Sequence, residues 1–411
     1  MKTRLLKVSS ILLVGIAVAI GCSKDEEAPL PVASSGGGSS ATDPYESTKT
    51  AIKENYANIV YTNYKDSYDK AILLKAALTT FTNTPSAANL STAKDAWLDA
   101  REPYGQTEAF RFANGPIDDA DGPEGQLNAW PLDESYIDYT TASSTSGIIN
   151  DAITYPSITG AVLDGLNEQG GEENISIGYH AIEFLLWGQD DPNTALETPG
   201  NRSYLDFVVG SGPGNEQRRK DYLMAVADLL VDHLGLMVSE WETGNNSNYR
   251  ATFMALPNNT MLEYVLTAIG TLSKSELAGE RMFTALTNQD QEDEHSCFSD
   301  NTHRDIILNA QGIRNVYIGS YTRTDGSVIS GTSIKDLIGQ INSTIEGELN
   351  TLSLATITNT EAMPVPFDNA LTQEVAGGQG PIMTAILSLQ NQGDKISEMA
   401  TAFGLTISTT L

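Results

Sequence analysis

The chain contains only four histidines, and one of them, His180, lies three residues before the carboxylate of Glu183. Residues at this spacing share one face of a helix, so the imidazole and the carboxylate can converge on one ion. A neutral imidazole nitrogen and a carboxylate oxygen suit zinc or iron. The next residues, Phe184 to Trp187, are all apolar, which predicts that the pair is buried. The alternative is a buried His–Glu hydrogen bond that only fixes packing.

A second group of reactive residues lies nearer the carboxyl end. It combines three acids, an arginine, two histidines and a thiol: Glu276, Glu280, Arg281, His295, Cys297, Asp300 and His303. The structural alternatives, which involve no chemistry, are a solvated acidic loop and a capping box formed by Thr302 and Asp305. A cysteine nucleophile is disfavoured because the surrounding acids raise the pKa of a thiol.

A polar stripe is the third such feature. Its members fall at steps of three and four residues: Arg101, Tyr104, Glu108 and Arg111. Trp97 and Phe112 flank the stripe, and exposed salt-bridge ladders rarely accompany such large aromatic residues. We therefore expect the stripe to be buried at an interface, although an intrahelical ladder of ion pairs is the alternative.

The elements that must position these groups are helices. Apolar residues at spacings of three and four predict helices from residue 44, from Thr84-Pro85 to Phe112, and over 177–187, 215–241, 260–286, 302–321, 333–351 and 381–403. Pro103 predicts a kink, and residues 113–145 read as a long irregular loop. We expect an all-α fold of two helical-bundle halves, residues 44–205 and 206–411, packed against each other.

Composition and absent motifs exclude several functions. In 411 residues, 24 Lys and Arg face 53 Asp and Glu, a net charge of −29. A polyanion of this kind does not bind nucleic acid or an anionic bilayer non-specifically. The sequence also lacks a Gly-rich phosphate loop, His-Glu-x-x-His, Gly-x-Ser-x-Gly and paired Cys-x-x-Cys motifs.

The amino terminus predicts a tethered protein of the cell envelope. Residues 1–21 combine a basic start with a short apolar run, which indicates a signal peptide, and Ala19 to Cys22 resemble a lipobox. We expect lipid on Cys22, with residues 22–43 as a flexible tether, and therefore an outer-membrane lipoprotein. The acidic run after Cys22 resembles a surface-export signal. The alternatives are an ordinary secretory signal and a generic acidic spacer.

Three separated blocks resemble one known family. Gly178-x-His180-x-x-Glu183, followed by Phe-Leu-Leu-Trp-Gly, is similar to the signature motif of the imelysin family. The block from Trp97 to Phe112 agrees, and the block from Glu294 to His303 resembles the iron-regulated protein A branch. The similarity covers 44–405. It implies an all-helical fold, a site containing His180 and Glu183 near the interface of two halves, an envelope location and a link to metal acquisition.

The resemblance leaves the activity open. The family is also catalogued as peptidases, but Ala181 and Phe184 stand where a zincin has its general-base Glu and its second His. We therefore expect a divalent metal, iron or zinc, or a metal-bearing ligand, bound for uptake with outer-membrane partners. The expected ligands are His180, Glu183, Glu108, Asp300 and His303, supported by Arg101, Tyr104, Arg111, Glu276, Glu280 and Arg281. The alternatives are a metallopeptidase with Glu183 as its catalytic group and a non-metal ligand-binding or structural module.

Overall fold

Helices make up nearly all of the regular structure. The computed structural model describes residues 43–119, 122–190 and 198–410. The predicted signal peptide, the lipidation site Cys22 and all but the last residue of the predicted tether lie outside these residues. The all-α prediction is confirmed, because the described residues contain only one short hairpin, in which Tyr321 pairs with Ile329.

The amino-terminal helices follow the predicted stripes. They are α1 (Glu46–Asn83), α2 (Ala87–Thr107), α3 (Glu124–Leu127), α4 (Glu134–Ile137), α5 (Gly160–Asp164) and α6 (Gly178–Trp187), with a 3₁₀ turn at Glu108–Phe110. Pro103 lies inside α2, so the helix continues beyond the predicted kink. The predicted loop between residues 113 and 145 contains the short helices α3 and α4.

The carboxyl-terminal helices differ more from the prediction. They are α7 (Glu216–Trp241), α8 (Tyr249–Ala255), α9 (Asn258–Thr271), a π-helix (Leu272–Phe283), α10 (Thr284–Asn288), α11 (Thr302–Ile318), α12 (Ile334–Ile341), α13 (Ser343–Glu361), α14 (Phe367–Gln373) and α15 (Pro381–Ala402). Short 3₁₀ turns lie at Tyr204–Phe207 and Gln291–Asp293, and strands β1 (Ser320–Thr322) and β2 (Val328–Ser330) follow α11.

Local chemistry explains the revised boundaries. The predicted helix over 333–351 breaks at Asn342, whose side chain caps the backbone N–H groups of Thr344 and Ile345. The predicted helix over 302–321 ends at Ile318, because Gly319 adopts a left-handed φ of 62° and leads into β1.

Packing links the two predicted halves. Residues from Asp43 onward form one compact unit. Helix α1 packs on α2 and α7, α6 packs on α2 and α7, and α11 packs on α2. In the described chain only α7 is long and apolar enough to cross a membrane by length and composition, and it packs on α1 and α6. The boundary at 205/206 stays a prediction, because helices from both sides of it build the same core.

Candidate functional site

Helix α6 holds the His–Glu pair in the core. Every residue from Gly178 to Trp187 is buried. Gly178 starts the helix with a φ of 88°, and a Cβ there would lie 2.7 Å from the carbonyl oxygen of Leu127. Only glycine permits this conformation and this close approach to α3. The glycine of the Gly-x-His-x-x-Glu motif therefore sets the position of the pair.

His180 and Glu183 form one hydrogen-bonded unit. The Nδ1 atom of His180 lies 2.9 Å from Oε2 of Glu183. The other carboxylate oxygen, Oε1, accepts hydrogen bonds from the backbone N–H (3.0 Å) and the hydroxyl (2.6 Å) of Ser299. The predicted burial and shared helix face of the pair are confirmed.

Burial makes both members of the pair uncharged. It lowers the pKa of His180 well below its usual value, and the positive charges of Arg101 and Arg281 lower that pKa further. Burial raises the pKa of Glu183 to about 8, against the lowering by the Ser299 hydroxyl. Because Oε1 already accepts two hydrogen bonds, the neutral Glu183 donates its proton from Oε2 to Nδ1, and the ring proton of His180 then lies on Nε2. Ionisation of Glu183 lets the ring proton move to Nδ1, which frees the lone pair of Nε2.

The second ring nitrogen of His180 has no hydrogen-bond partner. The Nε2 atom is buried, as are the unpartnered Nδ1 of His295 and Nε1 of Trp130. The ring of His180 lies 5.0 Å from that of His295 and 5.1 Å from that of Trp130, measured between centroids. Three buried polar atoms without a protein hydrogen-bond partner thus lie on neighbouring rings, although Oδ2 of Asp305 lies 3.7 Å from Nδ1 of His295. This cluster is the candidate place for a bound water or ligand.

Behind this pair, Arg101 joins three segments of the chain. Its Nη2 lies 2.8 Å from Oδ1 of Asp305, and its Nη1 donates to Oδ1 of Asn128 at 2.6 Å. The side-chain amide of Asn128 lies 3.3 Å from Nε2 of His295. Arg101 and Tyr104 are 1% exposed and Glu108 is 2% exposed, so the predicted burial of the polar stripe is confirmed for these three residues, while Arg111 is partly buried.

Two further arginines neutralise the acids at the end of the stripe. Arg281 donates from Nη2 to Glu108 at 2.6 Å and to Glu276 at 2.8 Å. Arg111 lies 3.0 Å from Glu124 and 3.6 Å from Glu108. Burial raises the pKa of Glu108, but Arg281 and Arg111 outweigh it, so the pKa falls below its usual value. Glu108 is thus an ion-paired anion.

A cleft of about 490 Å³ lies in front of the rings. Its lining consists of acids, two arginines and a few other side chains: Arg111, Glu124, Asn128, Ala129, Trp130, Pro131, Glu168, Glu172, Glu276, Glu280, Arg281, Thr284, Glu292, Asp293 and His295. His180 does not line the cleft but contacts Trp130 and His295, which do. It therefore lies one ring behind the cleft wall.

Asp300 and His303 lie in other surroundings. Asp300 groups with Asp190 and Asp368, whose carboxylate oxygens lie within 4.8 Å of one another. His303 is partly buried, with Nδ1 3.0 Å from the backbone oxygen of Asp300. No other group of three potential ligand atoms is this close within the described ranges. The structure thus brings His180 and Glu183 together, but not with Asp300 or His303, and ligation by these residues stays a prediction.

The sequence did not predict the roles of several residues of the site. The capping-box interpretation of Thr302 and Asp305 is wrong: the Thr302 hydroxyl accepts from the N–H of Ser296 at 3.0 Å, and Asp305 pairs with Arg101. Asn128, Ser299 and Trp130 lie in loops without periodicity, so no local pattern marked them. The Trp130-Pro131 dipeptide was the only local sequence feature that could have drawn attention to one of these three residues.

Cys297 behaves as a structural residue. It is 2% exposed. Burial raises the pKa of its thiol well above the usual value, and the nearby charges of Glu292 and Glu183 add to the effect. The prediction that this thiol is no nucleophile agrees with its surroundings.

The fold and site define an all-α protein with a buried histidine–carboxylate pair behind an acid-lined cleft. Residues 60–396 match the Imelysin (Peptidase_M75) family model, and the chain belongs to the imelysin family. It is 25% identical over 356 residues to iron-regulated protein A of Synechococcus elongatus, covering 85% of each chain.

Two crystal structures share the fold. One is of an iron-regulated protein A precursor from Parabacteroides distasonis, with 21% identity, a TM-score of 0.69 and coverage of 89% of this chain and 97% of that one. The other is of an imelysin-like protein from Psychrobacter arcticum, with 14% identity, a TM-score of 0.61 and coverage of 90% and 99%. At these identities the likeness supports the fold alone.

Proposed function

We propose that the chain binds a metal ion, iron or zinc, at the inner end of the cleft and serves metal uptake at the cell envelope. One observation carries the proposal: Nε2 of His180 is buried without a partner while Glu183 holds Nδ1. When Glu183 is ionised and accepts the Nδ1–H bond, Nε2 keeps its lone pair. A carboxylate that orients a histidine in this way is typical of metal sites.

The chemistry of the donors fits iron or zinc. Burial lowers the pKa of His180, so protons compete weakly for the ring. Within the described chain no third His, Cys, Asp or Glu atom joins His180 and Glu183 at metal-site spacing. Water and the carboxylates of the cleft would complete the coordination. Because Trp130 and His295 separate His180 from the cleft, one of these rings must move to admit the ion.

The envelope location rests on the sequence. The signal peptide would direct export, and the lipid on Cys22 would tether the protein to the outer membrane, where it would pass metal to uptake partners. The iron-regulated names of a relative in Synechococcus elongatus and a fold neighbour in Parabacteroides distasonis agree with this role.

The two alternatives make different demands on the pair. As a metallopeptidase, the protein would use Glu183 as general base, yet this carboxylate is 0% exposed and both oxygens are engaged. As a purely structural unit, the pair would leave Nε2 of His180 without a function. Turnover of an unfolded protein substrate, blocked by a chelator and by Glu183→Gln, would favour the peptidase.

The test compares metal binding by matched histidine variants. We expect wild type to bind about one iron or zinc per chain, measured by elemental analysis and calorimetry. His180→Ala should abolish binding, whereas His233→Ala, in the partly buried α7 site 3.9 Å from Asp164, should retain it. At a hundredfold excess over Kd the metal should stabilise wild type by about 2.7 kcal/mol. Unchanged melting on metal addition, or normal binding by His180→Ala, would refute the proposal.

A further inference from the structure

The two arginines that line the cleft already form ion pairs with carboxylates. Arg111 faces Asp118 at 3.1 Å and Glu124 at 3.0 Å, in addition to Glu108. Arg281 pairs with Glu108 and Glu276. The two guanidinium groups together thus pair with four carboxylates. Neither guanidinium is free to bind an anionic ligand.

The remaining acids of the cleft lie nearer solvent and lack such partners. We call them the rim acids: Glu168, Glu172, Glu280, Glu292 and Asp293. The first four are exposed and Asp293 is partly buried. None of the five forms an ion pair with a lysine or arginine of the described chain. Burial and neighbouring acids raise the pKa of Glu292 to about 7, so the negative charge at the entrance of the cleft rests mainly on the other four rim acids.

We propose that the cleft selects metal cations and excludes anionic metal chelates. The inference rests on the metal-binding function proposed above and specifies the chemical form of the ligand. Acids that line a narrow cleft focus the field and concentrate cations at its mouth. A chelate with a net negative charge would meet the rim acids first and find no free guanidinium behind them. The unpartnered Nε2 of His180 would complete the exchange, taking the place of a bound water on the cation.

The test uses the full chain and Zn²⁺ as the probe. Zinc is supplied alone or as its negatively charged complex with radiolabelled citrate. We expect wild type to retain zinc without citrate. A rim variant, Glu168→Gln with Glu172→Gln and Glu280→Gln, should bind free zinc more slowly by roughly three- to tenfold at low ionic strength. High salt should remove most of this difference because it screens exposed charges.

A second variant controls for net charge. Asp95→Asn, Glu242→Gln and Glu361→Gln remove three exposed acids that do not line the cleft. This control should bind zinc at the wild-type rate. Equal amounts of zinc and citrate on the protein, or equal rates for the rim variant and the control, would overturn the inference alone. Failure of wild type to bind zinc or iron in any form would overturn the proposed function as well.

Discussion

Replacing Glu183 by glutamine should weaken metal binding strongly without harming the fold. Glutamine has nearly the same shape, and its Oε1 can accept both hydrogen bonds that Ser299 donates. Its amide N–H then points at Nδ1 of His180, 2.9 Å away in wild type. Nδ1 must then be the acceptor, and because glutamine cannot ionise, the ring proton stays on Nε2 at every pH. A protonated Nε2 has no lone pair for a metal.

The expected loss of metal affinity is at least 10- to 100-fold, the usual effect of changing a group that orients a metal-binding histidine. Stability without metal should change in the opposite direction. The pKa of Glu183 rises from 4.5 to about 8 on folding. Its contribution to stability is therefore present in acid and is lost as the pH rises through 8. At about 1.4 kcal/mol for each pH unit, the loss has an upper limit of about 5 kcal/mol.

The assay combines metal titration with unfolding of the chelator-treated protein between pH 5 and 9. Wild type should lose stability across this range, while Glu183→Gln should lose less and be the more stable protein at pH 9. Nitrogen NMR of His180 should show the proton on Nε2 in the variant. Glu216→Gln, a buried acid at the start of α7, is the control and should bind metal normally. Wild-type metal affinity in Glu183→Gln would refute the reasoning.

Three substitutions and one measurement of thiol reactivity test the surrounding structure. Arg101→Met should lower the unfolding free energy by about 3–5 kcal/mol in urea denaturation, because Asp305 stays buried without its partner. Cys297 should react with a thiol reagent much more slowly in the folded protein than in urea, since it is 2% exposed. Gly312→Ala should destabilise by roughly 1–3 kcal/mol, because its Cβ would lie 2.4 Å from a carbonyl oxygen of α2. Gly347→Ala, which meets no atom within 4 Å, should instead stabilise α13 slightly.

Local patterns were sufficient for most helices and for the central pair. The spacing of apolar residues predicted α6 and α7 within about one residue of their observed bounds. The contact between His180 and Glu183 followed from their separation of three residues, because helix geometry alone makes such residues neighbours. Burial followed from the apolar residues around them.

Contacts between segments that are far apart in the chain could not be predicted from the sequence. Arg101 and Asp305 are 204 residues apart, and nothing near Asp305 distinguishes an ion pair from a helix cap. The start of α1 shows the same difficulty on a smaller scale. A helix was predicted from residue 44, but α1 begins at Glu46, and the Asp43 carboxylate accepts from the N–H of Tyr45 at 2.9 Å. A polar side chain near a helix start can form hydrogen bonds with several local partners. Tertiary packing determines which of these hydrogen bonds forms.

The arginines explain why an acid-rich protein would use a neutral histidine as its ligand. Arg101, Arg111 and Arg281 each bind buried carboxylates, which removes these acids from the set of free metal donors. Burial lowers the pKa of His180, and the positive charges of Arg101 and Arg281 lower it further, which keeps its ring neutral and able to bind metal. The rim acids stay unpaired and attract the ion from solvent. Different groups thus attract the cation and ligate it. Changing the rim acids should alter the rate at which the cation binds, whereas changing His180 should alter whether it binds at all.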